Sequence, residues 1–262
     1  MKVITIASDL QNVAFNSFLK PSCEFYKLDA TVLEFDEVFY SNRLKDALLN
    51  VYLEDTADDE IIFLTDATDT VFVANEAEIL KKFNDFNSPL VFSAEINCWP
   101  DRALEVGYPA SPAHFKYLNS GGFIGNAGYI KNIYKKYPVF ETANNPAFLW
   151  SNQYYWNTIY TKEINNIKID HECEIFYNTA IPLEDFALHK QQLREPGAIK
   201  SILNEERDRL NKEMLFTNGR IKSNITGSLP CHIHFPGIIS KHLMNMGYFD
   251  DIKPPKPSYH HE

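Results

Sequence analysis

Short runs of apolar and β-branched residues alternate with amphipathic helical patterns along this chain, and that alternation most constrains its fold. Three runs are typical of buried strands, at residues 3–7, 60–65 and 90–94. Apolar residues recur with helical spacing over 36–54 and 76–86. Strands that alternate with helices are typical of an α/β fold. We therefore predict a mainly parallel central sheet flanked by helices.

The chain length favours one main domain. With 262 residues, the chain is near the size at which a single core stops growing. We expect one domain over residues 1–250. Residues 182–215 include a mixed charge run and are expected to form an exposed charged insert. Residues 251–262 are rich in proline, and we expect a flexible tail there.

The acidic composition limits the classes of partner. A formal charge of -10 argues against a nucleic-acid partner, because such a chain lacks the positive field that releases phosphate counterions. An anionic ligand would need a bound cation to offset the repulsion. The first apolar run is too short for a signal peptide, and no stretch approaches the roughly 20 apolar residues of a membrane helix. We therefore expect no membrane span, and the compartment stays undetermined.

Two carboxylates directly follow the second predicted strand. Asp66 and Asp69 are separated only by Ala67 and Thr68. In a tight turn, two such carboxylates can converge on one hard divalent cation. They can equally cap a helix or a turn. The residues alone leave both interpretations open.

A late strand contains two histidines at alternate positions. His232 and His234 would share one face of that strand, since side chains alternate across a strand. They could form a pair of metal ligands. One of them could instead be a ligand alone, or both could be packed or solvated without binding a metal.

The third predicted strand delivers an acidic residue and then an aromatic one. Glu95 ends the strand, and Trp99 follows in a loop just before Pro100. An indole ring in such a loop could stack on a sugar, or it could anchor the core. The sequence does not separate these two roles.

Together these segments resemble the glycosyltransferase domain of the animal procollagen lysyl hydroxylases and its viral relatives. The matching segments occur in the family's order, from residue 2 to about residue 250. They are Ile4-Thr5-Ile6-Ala7-Ser8, Thr65–Asp69, Phe92–Glu95 with Cys98-Trp99-Pro100, Tyr117–Gly125, Asp170-His171 with Ile175-Phe176, and Leu229-Pro230 with His234. The segments around Trp99 and over 117–125 are long enough to be specific.

The resemblance implies a GT-A fold, a UDP-glucose or UDP-galactose donor, and a bound Mn²⁺ ion. Carried over by position, the metal ligands are Asp66, Asp69 and His234. His232 falls where the family has an apolar residue, so we do not assign it as a ligand. Mixed oxygen and nitrogen ligation suits Mn²⁺. The cation would neutralise charge on the departing UDP, which lets an acidic protein hold an anionic donor.

The resemblance also implies roles for residues around the donor and the acceptor. The set expected to bind the nucleotide-sugar is Thr5, Ser8, Thr68, Trp99, Asn119, Gly121, Gly122 and Gly237. The set expected to act in catalysis is Glu95, Asn152, Gln153 and Asp170. Within these sets, Thr5 and Ser8 would meet the uridine or ribose, and Glu95 and Trp99 would border the acceptor.

This chain departs from the family pattern in two places. Residues 150–153 read Trp-Ser-Asn-Gln where the family has an acidic run ending in Asp-Asp-Gln, so both carboxylates are lost. In a retaining transfer, a side-chain amide can flank the anomeric carbon without acting as a base. The glycine-rich segment after the late histidine is reduced to residues 235–237, and Lys241 lies one place from the family's lysine. The sequence also contains no counterpart of the family's hydroxylase domain.

The resulting expectation is a UDP-sugar-dependent hexosyltransferase. It would move a hexose, glucose foremost, from UDP to a hydroxyl acceptor. By resemblance the acceptor is galactosyl-hydroxylysine in a collagen-like protein, which implies retention of configuration. Three alternatives remain: the same fold acting on another glycan, a UDP-sugar-binding protein without transfer, and a metal-dependent hydrolase of UDP-sugars.

Overall fold

The computed structural model describes residues 1–35, 40–183 and 198–254. The strands are β1 (Lys2–Ala7), β2 (Asp29–Glu34), β3 (Ile61–Asp66), β4 (Thr70–Phe72), β5 (Leu90–Glu95), β6 (Tyr117–Asn126), β7 (Ile167–Ile169), β8 (Phe176–Asn178), β9 (Met214–Thr217), β10 (Arg220–Ser223) and β11 (His232–His234). The helices are α1 (Lys20–Tyr26), α2 (Arg43–Glu54), α3 (Glu76–Asp85), α4 (Ala127–Lys136), α5 (Asn152–Glu163), α6 (Ala198–Glu213) and α7 (Gly237–Asn245).

A six-stranded sheet in the order β2-β1-β3-β6-β5-β7 forms the centre of the molecule. β1 runs parallel to β2 and β3, and β5 runs parallel to β7. β6 alone is antiparallel to its two neighbours, β3 and β5. The predicted α/β fold with a mainly parallel central sheet flanked by helices is confirmed.

Two smaller sheets complete the fold. β11 lies between β4 and β8, antiparallel to β4 and parallel to β8. This arrangement brings β11 beside the turn that follows β3, because only three residues separate β3 from β4. β9 and β10 form a separate antiparallel hairpin.

The helices bury apolar residues, but α2 does so on a different face from the predicted one. The sequence predicts a face of Leu44, Ala47, Leu48, Val51 and Tyr52, whereas Val51 is 63% exposed. Leu44, Leu49 and Leu53 of α2 are buried. α3 begins at a capped N-terminus, where the Asn75 side chain accepts a hydrogen bond from the Glu78 N–H. Within the described ranges, no helix combines the length and the apolarity needed to cross a membrane.

The structure corrects the interpretation of residues 182–215 as a merely exposed insert. α6 buries Ile202, Leu203 and Leu210 in the main core. Its Glu206 is also buried and pairs with Arg209, whereas Glu205, Arg207 and Asp208 are exposed. Residues 184–197 of that segment lie outside the described residues. In the expected tail, Ile252 is buried, whereas residues 255–262 lie outside the described residues.

Candidate metal and donor site

A cavity of about 290 Å³ opens where β3, β5, β6 and β11 meet the start of α5. Ten of the residues predicted for the site contribute to its wall. They are Asp66, Asp69, Glu95, Trp99, Asn119, Gly121, Asn152, Gln153, His234 and Gly237. Segments that are more than 160 residues apart in sequence therefore converge on one cavity, as expected for ligands at the ends of strands in an α/β sheet.

The three predicted metal ligands lie together in the cavity wall. One ligand atom from each of Asp66, Asp69 and His234 lies within 4.8 Å of the other two. The His234 Nε2 is 3.5 Å from the Asp69 Oδ2 and 3.7 Å from the Asp66 Oδ2. Asp69 and His234 are buried, and Asp66 is half-buried at the end of β3. The residue types and their convergence fit a divalent cation.

Hydrogen bonds around His234 determine which ring nitrogen faces the carboxylates. The Asn119 Oδ1 accepts from the Gly121 N–H at 2.9 Å, so this oxygen is an acceptor. It lies 3.0 Å from the His234 Nδ1, which therefore carries the proton. The Asn178 Nδ2 approaches the same nitrogen at 3.3 Å, a longer contact that this tautomer does not use. Among the described residues, the buried Nε2 has no hydrogen-bond partner, and its lone pair can bind a cation.

Two lysines flank the aspartates. Lys45, from α2, forms an ion pair with Asp66, and the Lys241 Nζ is 2.9 Å from the Asp69 Oδ2. Burial opposes ionisation of Asp69, but the Lys241 ammonium is among the groups that hold the pKa of that carboxyl well below its usual range. The Asp69 carboxyl is therefore ionised near neutral pH, as a metal ligand requires.

Glu95 has a buried carboxyl group, and Asn119 connects it by hydrogen bonds to His234. Burial raises its pKa to about 7, against the opposing effect of hydrogen bonds from Asn119 and Gln153. The Asn119 Nδ2 donates to the Glu95 Oε1 at 3.1 Å, and the Gln153 amide donates to the same oxygen. Asn119 thus links Glu95 to His234, which orients the histidine ring.

The start of α5 presents two side-chain amides to the cavity. Ser151 caps the helix, because its Oγ accepts from the Tyr154 N–H at 3.1 Å. Asn152 and Gln153 follow in the first turn and are both buried. The Asn152 Oδ1 accepts from the Ser120 Oγ at 3.2 Å. The positive end of the helix therefore points towards the cavity, where it favours a bound anion.

The adjacent glycines Gly121 and Gly122 lie inside β6, whereas the sequence predicts that they precede a shorter strand over Phe123-Ile124-Gly125. A Cβ on Gly121 would lie only 2.1 Å from the His234 ring, so glycine makes room for that ring. Gly122 is outside the cavity wall, and a Cβ there would meet the Phe176 ring at 3.0 Å. The structure thus explains Gly121 by the space that the His234 ring needs and Gly122 by core packing, and it does not place Gly122 against a donor sugar.

Asp170 does not belong to the cavity. Its side chain is fully buried, and its carboxylate oxygens accept the N–H groups of Glu174, Ile175 and Phe176 at 2.7–2.8 Å. Burial raises its pKa to about 6, against the effect of these hydrogen bonds. The expectation that Asp170 acts in catalysis is therefore corrected: its carboxylate holds the turn that precedes β8.

Three predicted donor-binding residues, all within the described part of the chain, also lie outside the cavity wall. Thr5 is buried, donates from its Oγ1 to the Thr65 carbonyl at 2.8 Å, and lines a separate cavity of about 610 Å³. Ser8 is exposed beyond the end of β1, and Thr68 is half-buried between the two metal-site aspartates. In this structure none of the three contacts the cavity that holds the acidic cluster.

Sequence reasoning missed several residues of the cavity wall, among them Lys45 and Trp150. Lys45 lies on α2, and Trp150 lies in the loop before α5. Nothing in the local pattern around Lys45 marks it, because its pairing with Asp66 depends on tertiary packing. Trp150 adjoins the segment that departs from the family pattern, and an exposed aromatic residue at such a point is the signal that could have identified it.

Comparison with known proteins identifies the relatives of this chain. The model of the family described as the PLOD GT domain matches residues 1–227. Procollagen-lysine,2-oxoglutarate 5-dioxygenase 1 of Bos taurus is 36% identical over 198 residues, covering 71% of this chain and 26% of the relative. The Gallus gallus protein of that name is 31% identical over 206 residues, covering 73% of this chain and 27% of the relative. The chain thus spans about a quarter of the length of these curated relatives.

A solved structure shows the same fold. The galactosyltransferase LgtC, solved in complex with donor and acceptor sugar analogs, superposes with a TM-score of 0.52. The match covers 98% of both chains at 10% sequence identity, so it shows a likeness of fold alone. This fold is that of the GT-A glycosyltransferases, as the sequence predicts.

Proposed function

Since this chain belongs to the family of the PLOD GT domain, the glycosyltransferase domain of the procollagen lysyl hydroxylases, we propose that it transfers a hexose from a UDP-sugar to a hydroxyl acceptor. Glucose is the proposed sugar. The proposed acceptor is galactosyl-hydroxylysine in a collagen-like protein, by resemblance to the family. The cofactor is proposed to be Mn²⁺.

The observation that carries this proposal is the acidic cluster in the cavity wall. Asp66, Asp69 and His234 would hold the ion, and the bare, buried Nε2 of His234 fits that role. The bound ion would supply charge neutralisation for the departing UDP. The two carboxylates carry -2 and the ammonium groups of Lys45 and Lys241 carry +2, so a divalent ion leaves a net +2 beside the cavity. A diphosphate diester with two negative charges matches that charge.

The remaining residues of the wall are proposed to orient the sugar and the acceptor. Asn152 and Gln153 present neutral amides at the positive end of α5, beside the diphosphate charge. Glu95 is proposed to face the acceptor, where a carboxyl whose pKa is about 7 can accept a proton from a hydroxyl group near neutral pH. Trp99, 39% exposed in the wall, offers an aromatic face to a sugar.

The direct test incubates the protein with UDP-glucose and Mn²⁺, with and without a galactosyl-hydroxylysine peptide. UDP release that depends on the peptide, together with a peptide heavier by one hexose, would support transfer. UDP release without the peptide would instead support the hydrolase, and UDP binding without release would support the binding protein. A parallel reaction with UDP-galactose identifies the donor sugar.

Two variants connect the activity to the cluster. Asp69→Ala removes a carboxylate ligand and is expected to abolish both metal-dependent UDP binding and transfer. Asp85→Ala is the matched control, because Asp85 is an exposed carboxylate that pairs with Lys81 on the surface. Full activity in Asp69→Ala would refute the assignment of the metal site.

A further inference from the structure

A carboxyl group is buried directly behind the start of α5. Asp46, on α2, has no solvent exposure. Its Oδ1 accepts from the Trp156 Nε1 at 2.7 Å and from the Tyr134 hydroxyl at 3.0 Å. In the part of the chain that the structure describes, its buried Oδ2 has no hydrogen-bond partner. A buried carboxylate oxygen without a donor is costly, so its surroundings must be accounted for.

The Asn152 amide supplies the complementary group. Its Oδ1 accepts from Ser120, whereas its Nδ2 is buried and has no hydrogen-bond partner among the residues described. Burial raises the pKa of Asp46 to about 6, and the side chains of Trp156, Tyr134 and Asn152 act against that rise. Trp156, which donates to Asp46, lies four residues after Asn152 on α5, so both side chains are on the same face of that helix and Asn152 faces the region of Asp46. A free acceptor on α2 and a free donor on α5 occupy the same buried region.

Backbone contacts hold α2 against the start of α5. The Asn42 N–H donates to the Trp150 carbonyl at 2.8 Å, and the Arg43 Nε donates to the Ser151 carbonyl at 3.3 Å. Arg43 is buried, and its guanidinium also donates to three carbonyls in residues 139–143. These contacts precede Asp46 and Asn152 along the chain, and the Trp156–Asp46 hydrogen bond follows Asn152 on α5, so the fold holds the two side chains in register.

We propose that Asp46 is a positioning residue, whose Oδ2 accepts a hydrogen bond from the Asn152 Nδ2 and fixes the Asn152 carbonyl oxygen on the cavity side. The proposal rests on the proposed function. A carboxylate bonded to the amide N–H polarises the amide and makes its carbonyl oxygen more negative. Glycosyl transfer develops positive charge on the sugar ring, which such an oxygen stabilises. The pair thus supplies negative potential without placing a carboxylate beside the diphosphate.

The first test observes the contact without any substrate. In an NMR spectrum of ¹⁵N-labelled protein, the side-chain amide resonance of Asn152 is identified by its loss in Asn152→Asp. Asp46→Asn is expected to move this resonance. Tyr134→Phe, which removes a partner of the other carboxylate oxygen, is expected to leave it in place. An Asn152 resonance unchanged in Asp46→Asn would overturn the proposal, whether or not the protein transfers sugar.

The second test measures coupling in catalysis. Asp46→Asn is expected to lower kcat about 10-fold, while the donor KM stays within about twofold. In an Asn152→Ala background, the same substitution is expected to change kcat by less than about twofold, because the group that Asp46 positions is gone. Independent losses that multiply in the double variant would show that Asp46 acts only through the core, which would overturn the proposal.

A swapped variant keeps the proposal testable if Asp46→Asn does not fold. Asp46→Asn combined with Asn152→Asp restores one carboxylate opposite one amide. It is expected to unfold at a temperature at least about 5 °C above that of Asn152→Asp alone, in which two buried carboxylates meet. No recovery of the unfolding temperature in the swapped variant would overturn the proposal.

Discussion

The two histidines of β11 share one strand and one residue type, but they lie in opposite environments. His232 is fully buried, and its Nε2 lies 2.8 Å from the Thr65 hydroxyl. Three aromatic rings surround it, those of Phe63, Phe72 and Phe176, with centroids 5.0–5.6 Å away. We call this group the aromatic cage. His234 instead directs a bare Nε2 at two carboxylates in the wall of an open cavity.

The difference shows that a histidine's role depends on which groups reach it from other strands. Burial lowers the pKa of His232 well below its usual value, so the ring stays neutral inside the cage. His234 lies two residues further along β11, next to Asp66 at the end of β3 and Asp69 in the turn between β3 and β4. The cage encloses its histidine in the core, whereas the cavity leaves the Nε2 of its histidine able to bind a cation.

The strongest test of this comparison substitutes each histidine by glutamine. His234→Gln is expected to lower metal-dependent transfer by about 1,000-fold or more, because a metal ion contributes several kcal/mol to such reactions. His232→Gln is expected to lower the unfolding temperature while the Mn²⁺ affinity stays within about twofold. Transfer assays, thermal unfolding and Mn²⁺ titration measure these effects. Loss of Mn²⁺ binding in His232→Gln would break the comparison.

The next test compares the hydrogen-bond chains that start at the two histidines. The cavity chain runs from His234 through Asn119 to Glu95, a group that titrates. The cage chain runs from His232 through the hydroxyls of Thr65 and Thr70 to the Asp66 backbone carbonyl, which does not titrate. The pKa of Glu95 is about 7 in the folded protein, against 4.5 for a glutamate in the unfolded chain. Between these values the folded protein keeps a proton that the unfolded chain has lost. The contribution of Glu95 to stability therefore falls as pH rises from 4.5 to 7.

Glu95→Gln is expected to remove this dependence. Relative to the unsubstituted protein, the variant gains stability between pH 5 and pH 8, by roughly 3 kcal/mol at most for a shift of this size. Urea unfolding at several pH values measures the difference. Thr65→Val, which removes the partner of His232, is expected to show no such change with pH. A constant difference between Glu95→Gln and the unsubstituted protein would contradict the prediction.

The adjacent glycines of β6 provide a finer test. Gly121→Ala would drive a Cβ into the His234 ring, at 2.1 Å, and is expected to weaken Mn²⁺ binding by about 10-fold or more. Gly122→Ala meets the Phe176 ring at 3.0 Å and the His232 ring at 3.5 Å. It is expected to cost about 1–3 kcal/mol of stability by overpacking and to leave Mn²⁺ binding unchanged. Equal effects of the two alanines on Mn²⁺ binding would show that Gly121 has no special relation to the ligand.

The long, patterned elements could be predicted from sequence. β1, β3 and β5 are apolar runs, and α2 and α3 carry clear helical periodicity. β2 was missed because it is half-exposed and begins with Asp29, and β4 and β8 are only three residues long. β6 was predicted too short because glycine is depleted in strands.

The acidic cluster could be only partly predicted. The residues alone did not decide whether Asp66 and Asp69 cap a helix or turn or bind a metal ion. The family resemblance selected His234 rather than His232 as a metal ligand. Asp170 follows a strand as Asp66 does, but its carboxylate is taken up by nearby N–H groups that no sequence pattern reveals. Lys45 and Trp150 reach the cavity through packing between distant segments, which periodicity cannot show.

The smallest effect is expected from a substitution of Trp150, at the open side of the cavity. In the described part of the chain, the aromatic cage around His232 has no such opening. Trp150 is 43% exposed in the cavity wall, and its Nε1 donates to the Ala147 carbonyl at 3.1 Å, which fixes the ring. A fixed, exposed indole can stack on a sugar of the acceptor. Trp150→Ala is therefore expected to raise the acceptor KM about 5- to 10-fold, a change of about 1 kcal/mol, while UDP affinity is unchanged.

Leu149→Ala is the matched control for this prediction. Leu149 is also 43% exposed and lies in the same loop, but it does not contribute to the cavity wall within the described residues. A general disturbance of the loop would affect both variants alike, whereas loss of a stacking surface affects only Trp150→Ala. If both variants raise the acceptor KM equally, Trp150 acts through the loop. If only Trp150→Ala does so, the open side of the cavity binds the acceptor sugar, and the contrast with the closed cage around His232 extends from the metal ligands to the substrate.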